Sequence, residues 1–388
     1  MSGTTVVLLR STDTGAPVLN GVAGSCIAVL DACLQDGYNS KTNPVITRVG
    51  TTVTVTYATA HGYAADGLSK IEVSGCVETA YNGIFTPFNV TTLTFDYTIT
   101  GTPNSPATGT RITKVAPLGW SKTYTGTNKG VYRGNEVTGT RLYLRVDDTT
   151  DSGKSAGMRG YEAMTDVDTG TGLFPTVLQM ATGIVLTKSD TASSAARPWV
   201  LVGDGYEFLL FTAGFAVSYA NIYGTFHFGD PLSEMASDPY GCLIYGGIVL
   251  ESYPGSSGFA YNQIGTSLTA QAGHYFARSY TQIGPSIGAE KMGNYSLGGT
   301  TIGLSGILTY PAPSNNGLYI APLFVADAVC LRAQLKPVWQ PLHVRPLGHG
   351  ILIAANVSPI SRRLYSVTTN YSQSTAGETH IDIDGPWR

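Results

Sequence analysis

The chain has 388 residues, of which only 13% are charged, and its formal net charge is −3. This low charge together with 43% hydrophobic content excludes a coiled coil and a disordered chain. Without a basic block, nucleic-acid binding through phosphate neutralisation is not expected. The 47 glycines, 20 prolines and 23 tyrosines instead favour a β-rich globular protein with many turns.

The first predicted element is one helix near the start of the chain. Its apolar residues recur at helical spacing, at Cys26, Ile27, Leu30, Cys33 and Leu34. We expect the Ser25 hydroxyl to cap its N-terminus and Gly37 to end it. After this helix the hydrophobic pattern changes to period two, which is typical of strands.

Residues 42–115 are predicted to form a small β module. Val53, Val55 and Tyr57 alternate with threonines, and a second alternating run covers residues 93–99. Both runs are typical of half-buried strands that have one apolar face and one hydroxyl-bearing face.

The module is expected to be an insertion. The tripeptide Ser-Lys-Thr occurs at residues 40–42 and again at 121–123, and an insertion requires its two ends to lie close together. In a chain rich in Ser and Thr, the repeat is also compatible with chance. We expect a discontinuous main β-rich body of residues 1–41 plus 116–388, and an inserted small β module of residues 42–115.

The sequence pattern of the body predicts short strands separated by Gly, Asn, Asp or Pro. Trp199–Val202 and Tyr206–Phe211 flank Gly203-Asp204-Gly205, which predicts a hairpin with an Asp-Gly turn. Asn316-Gly317 is a similar turn signal before the run Leu318–Val325.

Two apolar runs, Phe208–Phe211 and Ile351–Ala355, predict strands that are covered on both faces. Two other stretches have short helical patterns, Thr176–Ala181 and Glu290–Asn294. The sequence therefore predicts an all-β fold, mainly antiparallel with a sandwich-like body, one short N-terminal helix and an inserted small β domain.

The cysteines are odd in number and include no CxxC pair, so we expect reduced, buried side chains, as in a protein made in a cytoplasm. They are Cys26, Cys33, Cys76, Cys242 and Cys330. The N-terminal MSGTTVVLLR lacks the basic region of a signal peptide. No apolar run reaches the roughly 18 residues of a membrane span, so membrane insertion is not expected.

A distinctive series of motifs runs from Ile46 to Gly109: ITRVGTTVTVTYATAHGY, VSGCVETAYNGIFTPFNV and TTLTFDYTITGTPNSPATGT. The series resembles a small β module that is common in tailed-bacteriophage proteins. It departs from the usual pattern at Asp66-Gly67-Leu68, where Gly-Asp is commoner. A second departure is Pro87, which should confine its strand to a sheet edge.

The flanking body also resembles a family of tailed-bacteriophage virion proteins. The motifs that carry this resemblance are LDACLQDGYNSK, GWSKTYTGTNKGVYRG, LYLRVDD, RGYEAMTDVDTGTGLFPT, RPWVLVGDGYEFLLF, FHFGDPLSE, YFARSYTQIG, GLYIAPLFVAD and LRAQLKPVWQPLHVRPLGHGILI. The resemblance implies a structural, tail-associated component of the particle, and supplies no catalytic residues, no cofactor and no metal ligands.

The expected partners are copies of the same chain and other virion proteins. The expected location is the virion, after synthesis in the bacterial host cytoplasm. A low-charge surface rich in Tyr suits protein contact, although Tyr is equally a good strand residue. The alternatives are a host-receptor-binding adhesin of the tail and a capsid decoration protein. An envelope-degrading hydrolase is less favoured, so we do not expect an enzyme.

One serine motif is a candidate for hydrolase chemistry. Gly284-Pro285-Ser286-Ile287-Gly288 matches G-x-S-x-G, the nucleophile elbow of hydrolases. An elbow requires a strand before the serine and a helix after it. Pro285 and the glycines instead favour a simple turn.

Histidine and carboxylate patterns near the end of the sequence are candidates for metal binding. His380, Asp382 and Asp384 share one face of a predicted strand, which fits either a metal site or the solvent-facing side of a terminal strand. His343 and His349 are six residues apart without an evident third ligand, so we interpret them as structural.

The remaining candidates are acidic turns, isolated glutamates and tryptophans. Two acidic turns lack the full spacing of a calcium loop, at Asp147, Asp148 and Asp151 and at Asp166, Asp168 and Gly170. The glutamates considered for glycoside cleavage are isolated, at Glu234, Glu251 and Glu290. Four tryptophans are compatible with a sugar-binding surface: Trp120, Trp199, Trp339 and Trp387. Of these, Trp199 and Trp339 are instead predicted core anchors, and Trp387 is predicted to dock the end of the chain onto a neighbour or onto its own body.

Overall fold

In a computed structural model, the described part of the chain comprises residues 5–149, 154–181, 183–213, 224–246, 273–292, 310–343, 347–357, 360–368 and 378–388. Its strands form five sheets in which every pairing is antiparallel. The all-β prediction is therefore confirmed.

The strands in chain order are β1 (Val7–Arg10), β2 (Tyr38–Thr42), β3 (Val45–Val49), β4 (Thr52–Thr56), β5 (Ile71–Cys76), β6 (Gly83–Phe85), β7 (Thr94–Thr98), β8 (Gly109–Val115), β9 (Ser121–Gly126), β10 (Lys129–Arg133), β11 (Tyr143–Asp147), β12 (Ser155–Met164), β13 (Gly170–Phe174), β14 (Ile184–Thr187), β15 (Trp199–Gly203), β16 (Glu207–Thr212), β17 (Gly224–Gly229), β18 (Leu232–Ser233), β19 (Leu243–Gly246), β20 (Gly273–Phe276), β21 (Ile287–Gly288), β22 (Glu290–Met292), β23 (Ile320–Ala326), β24 (Leu331–Pro341), β25 (Leu352–Val357), β26 (Ile360–Thr368) and β27 (Glu378–Asp382). The helix α1 (Ser25–Leu30) continues into a π-helical turn (Asp31–Asp36), and a 3₁₀ turn covers Thr79–Tyr81.

Three large sheets make up the body. The central sheet has the order β1-β15-β16-β17-β19-β20-β21. The first outer sheet has the order β13-β12-β11-β10-β9, with β14 also paired to β12. The second outer sheet has the order β22-β23-β24-β27-β26-β25, with β18 also paired to β24.

The central sheet is covered on both faces. Its side chains facing the first outer sheet include Leu201, Phe208, Leu210, Phe226 and Ile244, which share one buried apolar cluster with Leu144, Met158 and Phe174 of that sheet. Its other face contributes Val202, Leu209, Phe211 and Tyr245 to a second cluster, with Leu335, Val338 and Ile381 of the second outer sheet. Each such side chain stabilises the fold by roughly 1.5–3 kcal/mol when fully buried.

This layering tests the two apolar runs. Phe208–Phe211 lies in the central sheet, and all four of its side chains are completely buried, as predicted. The run Ile351–Ala355 overlaps β25, but β25 is an edge strand and both Ile351 and Leu352 are exposed. The prediction that this second run is covered on both faces was therefore wrong.

The predicted helix is present, but its first turn is capped differently. Gly24 occupies the N-cap position with φ of 86°, and the Ser25 hydroxyl donates to the Asn20 carbonyl at 2.9 Å. The capping acceptor is instead the distant Asp148, whose Oδ2 accepts from the Cys26 N–H at 2.8 Å. Gly37 ends the helical segment with φ of 72°, as predicted.

Residues 38–115 form two small sheets. One has the order β2-β8-β5-β6 and the other β3-β4-β7, and in the described part of the chain no strand from elsewhere pairs with them. Because β2 pairs with β8, the two ends of this segment lie side by side. Its buried side chains, such as Val53 and Tyr97, belong to the same apolar cluster as Leu30 and Leu144 of the body. The division into domains stays a prediction.

The smaller predicted elements had mixed outcomes. The hairpin around Asp204-Gly205 is confirmed by the pairing of β15 with β16. Thr176–Ala181 contains a turn, and Glu290–Met292 forms β22, so neither predicted helix is present there. Residues 293 and 294 lie outside the described residues. Asn316 has φ of 56°, which fits the predicted turn before β23.

Within the described ranges, none of the helices combines the length and the apolar character needed to cross a membrane.

Candidate functional site

The strongest candidate site is a group of three buried carboxylates at one end of the central sheet. Asp204 lies in the turn between β15 and β16, Glu207 begins β16, and Asp230 follows β17. Asp204 and Glu207 have no exposed surface, and Asp230 is 9% exposed. Carboxylates are seldom buried to this extent without partners, so each one requires an account of its contacts.

Asp204 and Asp230 are held by hydrogen bonds from the backbone. Asp204 Oδ1 accepts from the N–H groups of Tyr206, at 2.8 Å, and Glu207, at 3.0 Å, which fixes the hairpin turn. Asp230 accepts from the N–H and the hydroxyl of Thr140, both at 2.6 Å. The bonds of Asp230 join the central sheet to the loop before β11.

Glu207 contacts a histidine on the neighbouring strand. Its Oε2 lies 2.9 Å from Nε2 of His227, and both side chains are completely buried. Gly229 stands opposite Glu207 in the ladder, and a Cβ there would lie 2.2 Å from the Tyr206 carbonyl oxygen. The absence of a side chain at Gly229 therefore allows the close approach of the β16 backbone at this point.

Burial changes the titration of these groups. It raises the pKa of Glu207 to about 8 and that of Asp204 to about 7, the latter helped by the nearby Glu207. Burial lowers the pKa of His227 to about 3. Arg388 opposes the rise at both carboxyls. Because burial raises the pKa of Glu207 and lowers that of His227, the pair near neutral pH holds one proton, as a neutral acid beside a neutral imidazole.

A small cavity adjoins the carboxylates. Its volume is about 10 Å³, and its lining includes Trp120, Tyr206, Asp230 and Cys242. A cavity of this size holds about one water molecule. Burial raises the pKa of the Cys242 thiol well above its ordinary value, which disfavours the reactive thiolate. In this conformation the arrangement can hold protons and a water molecule.

Ser286 has a different setting from that of a nucleophile elbow. It is followed directly by strand β21 rather than by a helix. Its hydroxyl donates to Oε1 of Gln179, and Nε2 of Gln179 donates back to the Ser286 carbonyl at 2.5 Å. Ser286 thereby joins two surface turns.

The carboxyl-terminal strand β27 is interior to its sheet. It lies between β24 and β26, so the face that carries His380 and Asp382 is buried, and the predicted solvent-facing side was wrong. A strand that is last in sequence need not be at a sheet edge. Burial lowers the pKa of His380 to about 4, and the neighbouring His343 adds to this effect. Asp384 is not with them, since it pairs with Arg363 at 2.7 Å.

The other two histidines have structural surroundings. Nε2 of His343 accepts from the Tyr319 N–H at 2.7 Å, and the two rings stack. The His349 ring contacts the Tyr365 ring edge-on, and burial lowers the pKa of His349 to about 4. His343 and His380 are neighbours.

The acidic turns are neutralised by basic side chains. Asp147 pairs with Arg145 at 2.9 Å, and Asp168 pairs with Lys129 at 2.9 Å and also with Arg145. Asp148 forms a completely buried ion pair with Lys188. The remaining members of the two turns are Asp151, which lies outside the described residues, Asp166, whose Oδ1 accepts from the Asp168 N–H, and Gly170, which begins β13.

No group of three His, Cys, Asp or Glu side chains among the described residues is arranged to hold a metal ion. Glu234 and Glu290 are both exposed and are well separated along the sequence. Glu251 lies outside the described residues.

Three tryptophans are buried and satisfied. The indole N–H groups of Trp120, Trp199 and Trp387 each donate to a backbone carbonyl, at 2.8, 3.0 and 3.1 Å. Trp199 is a core anchor, as predicted, and Trp387 docks onto its own chain. Trp339 is only half-buried, so its prediction as a core anchor was wrong.

Sequence reasoning missed the three carboxylates and His227. The Asp-Gly signal was interpreted only as a turn. A charged residue at the start of the apolar run EFLLF, and a histidine inside FHFG, were the available signals. Neither signal shows by itself that Glu207 and His227 meet, because their contact depends on the pairing of β16 with β17.

Comparisons with known proteins give little further information. No family model matches the chain, and no curated protein matches it. Among solved structures, the chain is similar to the phage phi92 endosialidase with a TM-score of 0.17 and 9% identity. The match covers 90% of this chain and 52% of the endosialidase, so the chain spans about half the length of that protein. A TM-score this low carries no argument about function.

Proposed function

We propose that this chain is a structural component of a tailed-bacteriophage particle, located in the tail, tail tip, baseplate or neck. It acts through self-association and through contacts with other virion proteins, and we assign it no catalytic step. Its location would be the virion, after synthesis in the host cytoplasm. Symmetric self-association is the usual mode of assembly for such parts.

The observation that carries this proposal is the segment that resembles a phage β module. Residues 46–109, which carry the resemblance, fall within the segment 38–115 whose strands pair with one another. The pairing of β2 with β8 brings the two ends of that segment together, as is required of a segment inserted into another domain.

A second supporting feature is a network of ion pairs that ties the three body sheets together. Arg332 of the second outer sheet is completely buried and binds Asp238 through two bonds of 2.8 Å and Asp327 at 3.0 Å. It also donates to the Arg278 carbonyl at 2.8 Å. The Arg278 side chain in turn holds Glu162 of the first outer sheet with a bidentate contact. Such a network favours a rigid building block.

A third feature is an exposed apolar corner, formed by Val177, Leu178 and Ile283. Leu178 is 100% exposed and Ile283 is 79% exposed. The two turns that carry these residues are joined by the bonds between Gln179 and Ser286. Grouped apolar side chains in solvent are typical of protein contact surfaces, so we assign this corner to contacts between subunits.

The location is tested by imaging purified particles. Antibody labelling or a particle reconstruction should place the chain on the tail at fixed stoichiometry. Its absence from mature particles would overturn the proposal, and labelling of the head would indicate a capsid decoration protein instead. Binding of the isolated protein to host cells, with inhibition of infection, would indicate an adhesin.

The self-association is tested at the apolar corner. Leu178→Asp places a charge in the contact, so the fraction of oligomer measured by light scattering should fall at least tenfold. Val137→Asp is the matched control, because Val137 is 80% exposed but lies in a different loop. Equal fractions of oligomer in the wild type, Leu178→Asp and Val137→Asp would contradict the role of this corner. Turnover of envelope polymers that is lost in Ser286→Ala would contradict the non-enzymatic assignment.

A further inference from the structure

A row of polar side chains crosses the apolar core between the central sheet and the second outer sheet. We call it the interlayer seam, and its members are Glu207, His227, Tyr245 and His274, on β16, β17, β19 and β20. His227 and Tyr245 are register partners, as are Tyr245 and His274. The His227 and Tyr245 rings stack with centroids 5.0 Å apart and an interplanar angle of 6°. Glu207 joins the row through its 2.9 Å contact with His227.

The seam shares its face of the sheet with apolar side chains. Leu209 stands opposite His227 in the ladder, and both Leu209 and Tyr245 belong to the apolar cluster that includes Val338 and Ile381 of the second outer sheet. A charged group in such surroundings is costly unless it is fully paired. Glu207 is only half paired, because its Oε1 has no hydrogen-bond partner in the described residues.

In the described residues, the titratable groups around Glu207 lie on the central sheet, in its turns and in the segment after β27. The acids are Asp204 in the preceding turn and Asp230 after β17. His227 and Tyr245 come from β17 and β19. Among the described residues, the cation that acts on Glu207 is Arg388, from the segment after β27, whose guanidinium lies 3.8 Å from the centre of the Tyr206 ring. Arg388 is exposed, so it offsets the buried carboxylates only in part.

The proton balance of the Glu207–His227 pair depends on whether the two sheets are in contact. In the packed state the pair keeps its last proton up to about pH 8, the pKa of Glu207. In an opened, hydrated state the last proton belongs to a histidine with an ordinary pKa near 6.5. Between these two values opening releases up to one proton, so the opening equilibrium rises with pH by less than tenfold for each pH unit.

We propose that the interlayer seam is a pH-sensitive switch that loosens the packing of the central sheet against the second outer sheet in mildly alkaline solution. The apolar cluster of the first outer sheet contains no member of the seam. Loosening is therefore confined to one of the two interfaces of the central sheet.

Hydrogen exchange followed by mass spectrometry tests this switch in the full chain. After correction for the intrinsic exchange rate, the opening equilibrium of amides in β16, β17 and β27 should rise about thirty-fold between pH 6.5 and pH 8. About eightfold comes from the pair, which is half titrated at each of these limits, and about fourfold comes from Asp204. Amides in β11 and β12 of the first outer sheet should change less than threefold. A flat profile in β16 and β27, or an equal rise in β11 and β12, would overturn the proposal.

The variant Glu207→Gln keeps the shape and removes the titrating carboxyl. Its opening equilibrium should vary only a few-fold between pH 6.5 and pH 8, and this remaining rise is due to the titration of Asp204. Asp96→Asn is the matched control, because Asp96 is a hydrogen-bonded carboxylate of the sheet β3-β4-β7 and should leave the thirty-fold rise intact. An unchanged rise in Glu207→Gln would refute the assignment to the seam. If that variant does not fold, the wild-type profile still decides.

Discussion

The buried ion pair between Lys188 and Asp148 provides the sharpest test of what holds the N-terminal helix in place. Neither side chain has exposed surface. Lys188 also donates to the Val22 carbonyl at 2.9 Å and to the Ser25 hydroxyl at 3.3 Å, while Asp148 caps the helix at the Cys26 N–H. The pair therefore fixes the start of α1 against the end of β11 and the strand β14.

Removing one partner leaves a buried charge with no counter-charge. Breaking such a pair costs about 3–5 kcal/mol, so Lys188→Met should lower the free energy of unfolding by that amount at pH 8. The loss should be smaller at pH 5, because burial already raises the pKa of Asp148 and an unpaired Asp148 can then take up a proton. Urea denaturation followed by circular dichroism at both pH values measures this difference.

The double variant separates charge from packing. Asp148→Asn with Lys188→Met keeps an acceptor for the Cys26 N–H and removes both charges, so it should regain most of the lost stability. Lys129→Met is the control, because Lys129 pairs with the half-exposed Asp168 and should cost less than about 1 kcal/mol. A loss below about 1 kcal/mol in Lys188→Met, or a double variant as unstable as the single one, would refute this reasoning.

Three further predictions rest on other contacts. In β12, Gly160→Ala should cost about 1–3 kcal/mol by urea denaturation, because its Cβ would lie 2.2 Å from the buried Phe174 ring. Gly157→Ala in the same strand meets only an oxygen at 3.8 Å and should cost far less. Folded Asp204 keeps its proton to about pH 7 whereas the unfolded chain loses it near pH 3.8, so between these values stability should fall by on the order of 4 kcal/mol. Asp204→Asn should abolish that fall, and an unchanged pH profile would contradict it. Arg332→Met should cost about 3–5 kcal/mol, since it leaves two buried carboxylates without their cation, and thermal unfolding at the wild-type midpoint would contradict it.

The sequence predicted those elements whose signal is local. Alternation in residues 52–57 identifies β4 because one face of that strand is buried and the other is not. The Asp-Gly turn identifies the hairpin β15–β16 because only a few residues decide its geometry. The period of 3.6 identifies α1 for the same reason.

The elements that the sequence did not predict depend on distant neighbours. The cap of α1 comes from Asp148, which is 122 residues away from Cys26. The burial of β27 follows from its position between β24 and β26, which no local pattern specifies. The contact of Glu207 with His227 requires the register of β16 with β17. Tertiary pairing, rather than local preference, decides all three.

The pairing of β2 with β8 has a practical consequence for the design of insertions into this protein. A foreign sequence spliced between residues 43 and 111 would leave and re-enter the scaffold at adjacent points of one ladder, so its termini need not be far apart. Such a graft would still have to cover the apolar surface that the native segment shares with the body, through residues such as Val53 and Tyr97. A polar linker in that place would leave an uncovered patch and promote aggregation.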